Sequence, residues 1–185
     1  MSPHERLLTL LAERSARKGS FTLASGRQSS LYIDARLTTM SPDGMALIGP
    51  LGLAAIVDAS WRPDAIGGLT LGADPVSYAI AYASELAGTP LRAFTVRKEA
   101  KQHGTGRLIE GPFREGDRVV VVEDVITTGG SALRAVEAVR AAGGTPVGVL
   151  AVVDRDEGGR GAIEQRGLPV LALARAGDIV SRMRD

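Results

Sequence analysis

The run Val119-Val120-Val121-Val122-Glu123-Asp124-Val125-Ile126-Thr127-Thr128-Gly129-Gly130-Ser131 joins three kinds of chemistry in thirteen residues. Its four opening valines, apolar and β-branched, suit a strand covered on both faces. The carboxylates Glu123 and Asp124 stand where that strand would end, and hydroxyls and glycines then lead into a helical pattern from Ala132 to Ala142. In an open parallel sheet, ligands sit beyond the carboxyl ends of the strands. A turn of this make-up offers what a phosphomonoester needs: close backbone approach, hydroxyl donors and the free N–H groups of a helix start. The two carboxylates can accept hydrogen bonds from sugar hydroxyls or hold a hydrated Mg2+. No Gly-Lys-Ser/Thr follows, so the turn is not of the Walker type. A plain helix cap below a solvated acidic pair uses the same residues, and spacing alone leaves both readings open.

Outward from this run the pattern alternates. Ala65 to Leu69 predicts a strand, Pro75 to Leu86 a helix closed by Gly88, and Leu91 to Val96 the next strand. Past the helix that ends at Gly143-Gly144, Val147 to Val153 and Leu168 to Ala174 predict two more strands. Such alternation predicts an α/β fold, an open and mainly parallel β-sheet flanked by helices. Upstream, Pro3 with Leu7, Leu8, Leu10 and Leu11 predicts an amphipathic helix ending near Lys18-Gly19. Phe21 to Leu23 and Leu31 to Ile33 predict short strands around a turn, Ser25 to Ser30. Ser41-Pro42 starts a helix towards Asp58, with a kink or break expected at Pro50. No repeat or linker divides the chain, so residues 1–185 are expected to form a single domain.

Composition excludes several function classes. The 185 residues are 44% hydrophobic, enough for one core. Twenty-two basic against twenty-one acidic residues leave a net charge of +1, so no global field draws in nucleic acid or membrane. Anion recognition must be local. The absence of cysteine rules out disulfides, thiolate metal sites and a cysteine nucleophile. Met1 to Arg6 lacks the basic start and apolar run of a signal peptide, and no apolar stretch approaches the ~18–20 residues that span a bilayer. A soluble cytoplasmic protein is expected.

The second informative stretch is the loop Arg97 to Gly111. Arg97, Lys98, Lys101, His103 and Arg107 face only Glu99 and Glu110 in sequence, and Gly104 and Gly106 loosen the chain. Long loops without structure of their own are more often functional or disordered than decorative. A mobile cationic flap could close over a pyrophosphate and neutralise a departing group. Its glycines do not follow the dinucleotide-binding pattern, because Ile109 stands where a third would be needed.

The Val119–Ser131 run resembles the 5-phosphoribosyl-1-pyrophosphate (PRPP) signature of the type I phosphoribosyltransferases. Arg97-Lys-Glu-Ala-Lys-Gln-His-Gly104 resembles the catalytic loop of the orotate phosphoribosyltransferases, the pyrimidine-pathway branch of that group. Phe21 to Arg36 is similar to their base-binding segment, and Val153-Asp154-Arg155 adds a fourth match. All four fall in the order that the family requires. The resemblance implies the type I phosphoribosyltransferase fold, with residues 1 to about 40 as a small N-terminal hood over the base site and a flexible catalytic loop.

The resemblance also implies roles. Glu123 and Asp124 bind the ribose 2′- and 3′-hydroxyls, while Val125, Ile126, Thr127, Thr128, Gly129, Gly130 and Ser131 complete the PRPP site, the residues after Thr127 holding the 5′-phosphate. Arg155 pairs with the carboxylate of orotate. Thr127, Ser25, Gly26, Arg27 and Tyr32 surround the base. Lys101 is the principal catalytic cation, and Arg97, Lys98 and His103 hold pyrophosphate oxygens. His103 is also able to donate a proton, given an ordinary pKa of ~6.5. Mg2+ arrives chelated by PRPP, with no direct protein ligand expected beyond Asp124 acting through water. The family is dimeric, so a homodimer sharing loop 97–111 across its interface is implied, with no nucleic-acid or membrane partner.

Two departures stand out. Ala24 occupies a place where some members carry lysine, and Leu71-Gly72-Ala73-Asp74-Pro75 lacks the lysine of several pyrophosphate loops. The N–H groups of Gly72 and Ala73 and the flap cations are expected to serve instead. Two other functions fit parts of the pattern. A type I transferase for purines or xanthine would give Arg155 no carboxylate to meet. A PRPP-sensing regulator would keep the phosphate turn but need a nucleic-acid surface, against which the near-neutral charge and the retained Lys101 and His103 both argue.

Overall fold

The structure, a computed structural model, describes residues 1–22, 28–99 and 108–183. Six strands form the main sheet: β3 (Ala65–Leu69), β4 (Arg92–Val96), β5 (Ile109–Glu110), β6 (Arg118–Ile126), β7 (Thr145–Asp154) and β8 (Val170–Arg175). Their order is β5-β4-β3-β6-β7-β8, parallel except for the antiparallel β5. The mainly parallel α/β sheet expected from the alternation is therefore present. β1 (Ala16–Thr22) and β2 (Gln28–Ile33) form a separate antiparallel ribbon.

Helices cover both faces. Val120 and Val122 of β6 join Val76 and Ile80 of α4 (Ala73–Leu86) and Ile48 and Ile56 of α3 (Pro42–Asp58) on one side. Val119 and Val121 join Val136 and Val139 of α5 (Gly130–Ala141) and Ile163 of α6 (Gly159–Glu164) on the other. This two-sided burial explains why the valine run has no polar alternation. Leu7, Leu8 and Leu11 of α1 (Pro3–Leu10) and the turn after it enter the first of these cores, and Ala16 and Ile33 of the β1–β2 ribbon join them there. Short α2 (Arg36–Thr39) and α7 (Ala176–Val180) complete the chain.

Several boundaries differ from the sequence expectations. The first helix does not reach Lys18-Gly19: after a π-helical turn at Leu11–Ser15 the chain pairs Ala16 with Ile33, and Ser15 bonds Thr38 at 2.8 Å. Cross-strand pairing wins there over helical propensity. Gln28 to Ser30, assigned to the turn, belong to β2, whereas Leu23 to Arg27 lie outside the described residues. Pro50 does not break α3. Tight packing offsets the lost N–H, since Gly49 lies against the Ala79 carbonyl and Gly52 against Ile80. The Arg97–Pro112 loop includes the small strand β5, paired through Thr95 with Glu110 and Val96 with Ile109.

Candidate active site

Strand order reverses between β3 and β6, because the chain runs from β3 outward to β4 and β5, then returns to the other side of β3. A crevice opens at such a switch point, beyond the carboxyl ends of the strands. Here it is a cleft of about 350 Å3. Its walls are Thr70, Leu71 and Gly72 after β3, Glu123 to Val125 of β6, Thr127 and Ser131 of the following turn, and Arg155 after β7. Tyr32 to Arg36 close it from the hood side, and Lys98 from the loop after β4.

The Thr127–Ser131 turn, expected to hold a phosphate, leaves its backbone and hydroxyls open. Gly129 takes φ +82, a conformation that favours glycine, and a Cβ there would stand 2.9 Å from the Gly159 carbonyl oxygen. Gly159 in turn presses on the Thr127 carbonyl and bonds it through its N–H at 2.9 Å. The turn is thus clamped from below by the start of α6. No side chain among the described residues caps the first turn of α5, so Thr127, Thr128 and Ser131 keep their hydroxyls for another partner. A cap was one of the two readings of these residues, and the geometry leaves the helix start open to an anion. A Cβ on Gly130 would find its nearest neighbour, Thr128 Oγ1, 3.8 Å away, so a group can approach the backbone there.

The two acids do not follow the strand as expected but lie within it, since β6 stays paired with β7 as far as Ile126 and Asp154. Glu123 is 6% exposed, and its Oε2 has no hydrogen-bond partner among the described residues. Burial, and then the neighbouring Asp124 carboxylate, push its pKa up to about 9. Glu123 is therefore protonated near neutral pH, with Asp124 next to it. Glu123 lines the cleft with one carboxyl oxygen left without a partner, which fits a hydroxylated ligand. Among the described residues no three His, Asp or Glu side chains group as a metal cage. Asp124 suits an ion that a ligand would carry in, met through water.

Of the other expected residues, Thr127, Ser131, Val125, Tyr32, Lys98 and Arg155 all reach the cleft. Ile126 does not: its side chain is buried in the core, and only its carbonyl takes part, accepting from the Arg155 N–H at 3.0 Å. Arg97 opens on an adjacent groove with Thr70, Thr95 and Glu110. Its Nη1 lies 3.5 Å from Glu110 Oε1. Tyr32 is 41% exposed and stacks on Phe21, ring centres 5.5 Å apart. Lys101, His103, Ser25, Gly26 and Arg27 lie outside the described residues. Asp34 and Arg36 were missed as lining residues, although they end the Phe21–Arg36 segment; Arg36 Nε bonds Asp34 Oδ1 at 2.8 Å. Thr70 was missed too, and it donates to Asp74 Oδ2 at 2.7 Å, fixing the turn into α4.

Comparison with known proteins agrees with this geometry. The phosphoribosyl transferase domain matches residues 52–164. The orotate phosphoribosyltransferase of Aquifex aeolicus (strain VF5) is 45% identical over 97% of this chain and 99% of its own. Among solved structures, the Mycobacterium tuberculosis H37Rv orotate phosphoribosyltransferase in complex with Fe(III) dicitrate superposes with a TM-score of 0.85 at 46% identity, covering 96% of this chain and 99% of that one. The same enzyme in complex with PRPP gives a TM-score of 0.83 at 42% identity, covering 97% and 99%. On this evidence the chain belongs to the phosphoribosyltransferase family, in its orotate phosphoribosyltransferase branch.

Proposed function

We propose that this enzyme transfers the 5-phosphoribosyl group from PRPP to orotate, giving orotidine 5′-monophosphate and pyrophosphate. The observation that carries the reading is one cleft in which an uncapped helix start, an acid pair with Glu123 buried, and a buried arginine converge. The 5′-phosphate sits on the Thr127–Ser131 turn, where N–H groups and hydroxyls donate to it. Glu123 and Asp124 hold the ribose hydroxyls, and Asp124 attracts positive charge developing at the sugar. Arg155 meets the carboxylate of orotate, which favours this base over purines. Orotate is already an anion, so the displacement at C1 needs no strong base.

The leaving pyrophosphate is the main electrostatic problem. Lys101, assisted by Lys98, Arg97 and His103, neutralises it, and closure of the loop excludes water. Mg2+ bound to PRPP supplies further charge neutralisation, with Asp124 as its partner through water. A homodimer sharing loop 97–111 belongs to the same reading. It is supported by an uncovered ridge on α4, where Tyr78, Tyr82 and Leu86 are 49%, 69% and 72% exposed at helical spacing. A chain without cysteine needs no oxidising compartment, and a cytoplasmic location completes the proposal.

The test is pyrophosphate release from PRPP and Mg2+ with orotate, uracil, adenine, hypoxanthine and xanthine in parallel. Turnover with orotate and little with the others is expected. Preference for a purine would overturn the reading of Arg155.

A further inference from the structure

Arg155 enters the cleft from the end of β7 with much of its bonding capacity already engaged. Its side chain is 5% exposed, and Nη2 pairs with Glu157 Oε1 at 2.7 Å. The same nitrogen donates to the Leu31 carbonyl at 2.9 Å and to Ser29 Oγ at 3.1 Å, both on β2. Nε, by contrast, is buried without a partner among the described residues. A guanidinium with one nitrogen crowded and the next one orphaned lacks an acceptor on one side. Glu157 is itself 16% exposed at its side chain, so the pair is poorly screened by solvent.

We infer that Glu157 is an internal counter-ion that limits how tightly the cleft captures the carboxylate of the base, and so lets the carboxylate-bearing product leave. The inference rests on Arg155 being the partner of that carboxylate. A lone arginine in so dry a site would hold an anion strongly and release it slowly. With Glu157 in place, two carboxylates compete for one guanidinium and repel each other. Nη2 has two hydrogens for three acceptors, so when Glu157 loses its charge the Leu31 and Ser29 oxygens still hold the arginine, and the acid tunes charge more than geometry. Glu157 thus acts through Arg155 and does not itself need to touch the ligand.

The substitution Glu157→Gln removes the charge, keeps an acceptor for Nη2 and hardly changes volume. Calorimetric titration of the full-length protein with orotidine 5′-monophosphate should show binding tighter by roughly tenfold, the discounted effect of one nearby charge. Inhibition by that product should strengthen in step, while KM for PRPP stays unchanged. A loosened fold would lower affinity, so a gain cannot be a structural side effect. Unchanged or weaker product binding in Glu157→Gln would overturn the inference. Arg155→Gln in the same titration separates the two levels of argument. Loss of product affinity with KM for PRPP retained keeps the reading of Arg155 even if Glu157 fails; equal loss for both ligands removes both.

Discussion

Gly72 lies against the carboxylate of Asp124 so closely that a Cβ on it would stand 2.5 Å from Oδ1. The loop after β3 and the acid of β6 therefore share one wall of the cleft, across the point where strand order reverses. Glycine is required there by contact, at a residue whose φ of −63 any amino acid adopts.

That contact makes Gly72→Ala a test of the acid pair. The methyl group would push Asp124 aside, and kcat/KM for PRPP should fall by about ten- to a hundredfold, on the scale of one misplaced charged hydrogen bond. The thermal midpoint should move far less than for a core substitution. Unchanged kinetics would mean that Asp124 does not touch the sugar.

The phosphate turn gives a prediction about both stability and binding. Gly129→Ala forces a side chain into φ +82 and against the Gly159 carbonyl oxygen at 2.9 Å. A cost of about 1–3 kcal/mol is expected, with PRPP binding weakened because the turn must open. Thermal melts with and without PRPP measure both, and the stabilisation that PRPP confers should shrink in the variant.

Glu123 makes stability depend on pH in a stated direction. Its folded pKa is raised from 4.5 to about 9, chiefly by burial and then by Asp124. The folded state binds this proton more tightly than the unfolded chain does. The contribution is fully present below about pH 4.5, falls steadily above it, and is lost as pH rises through about 9. Glu123→Gln removes this slope. The ligand-free variant should melt above the parent at pH 8–9 and close to it near pH 5, while losing PRPP affinity because an amide also presents N–H groups to the diol.

For the flap, Lys101→Ala should lower kcat by about a hundred- to a thousandfold and change KM for either substrate little, as expected for a group that acts on the departing charge. Single-turnover and steady-state kinetics distinguish this from a binding defect. A loss confined to KM would take Lys101 out of the chemistry.

A sequence is most legible where burial is two-sided or a turn has special chemistry. Val119 to Val122 could be little other than a central strand, and Thr127 to Ser131 could only be a tight turn into a helix. Legibility failed where pairing partners lie far apart in the chain. Ser15 ends the first helix because Thr38 and Ile33 wait beside it, and β5 exists because Val96 offers it an edge. Neither partner is visible in a local window.

The sequence by itself determined the α/β architecture, the place of the turn after the central strand and the residue types able to do the chemistry, because these depend on local pattern. Only the tertiary structure decided that Glu123 is buried with an unsatisfied oxygen and that Arg155 is held by Glu157 and the hood strand β2. It alone, too, placed Gly72 against Asp124. Charge state, desolvation and close contact belong to neighbours in space, and residues 31, 72, 124 and 155 become neighbours only when the sheet has closed around the cleft.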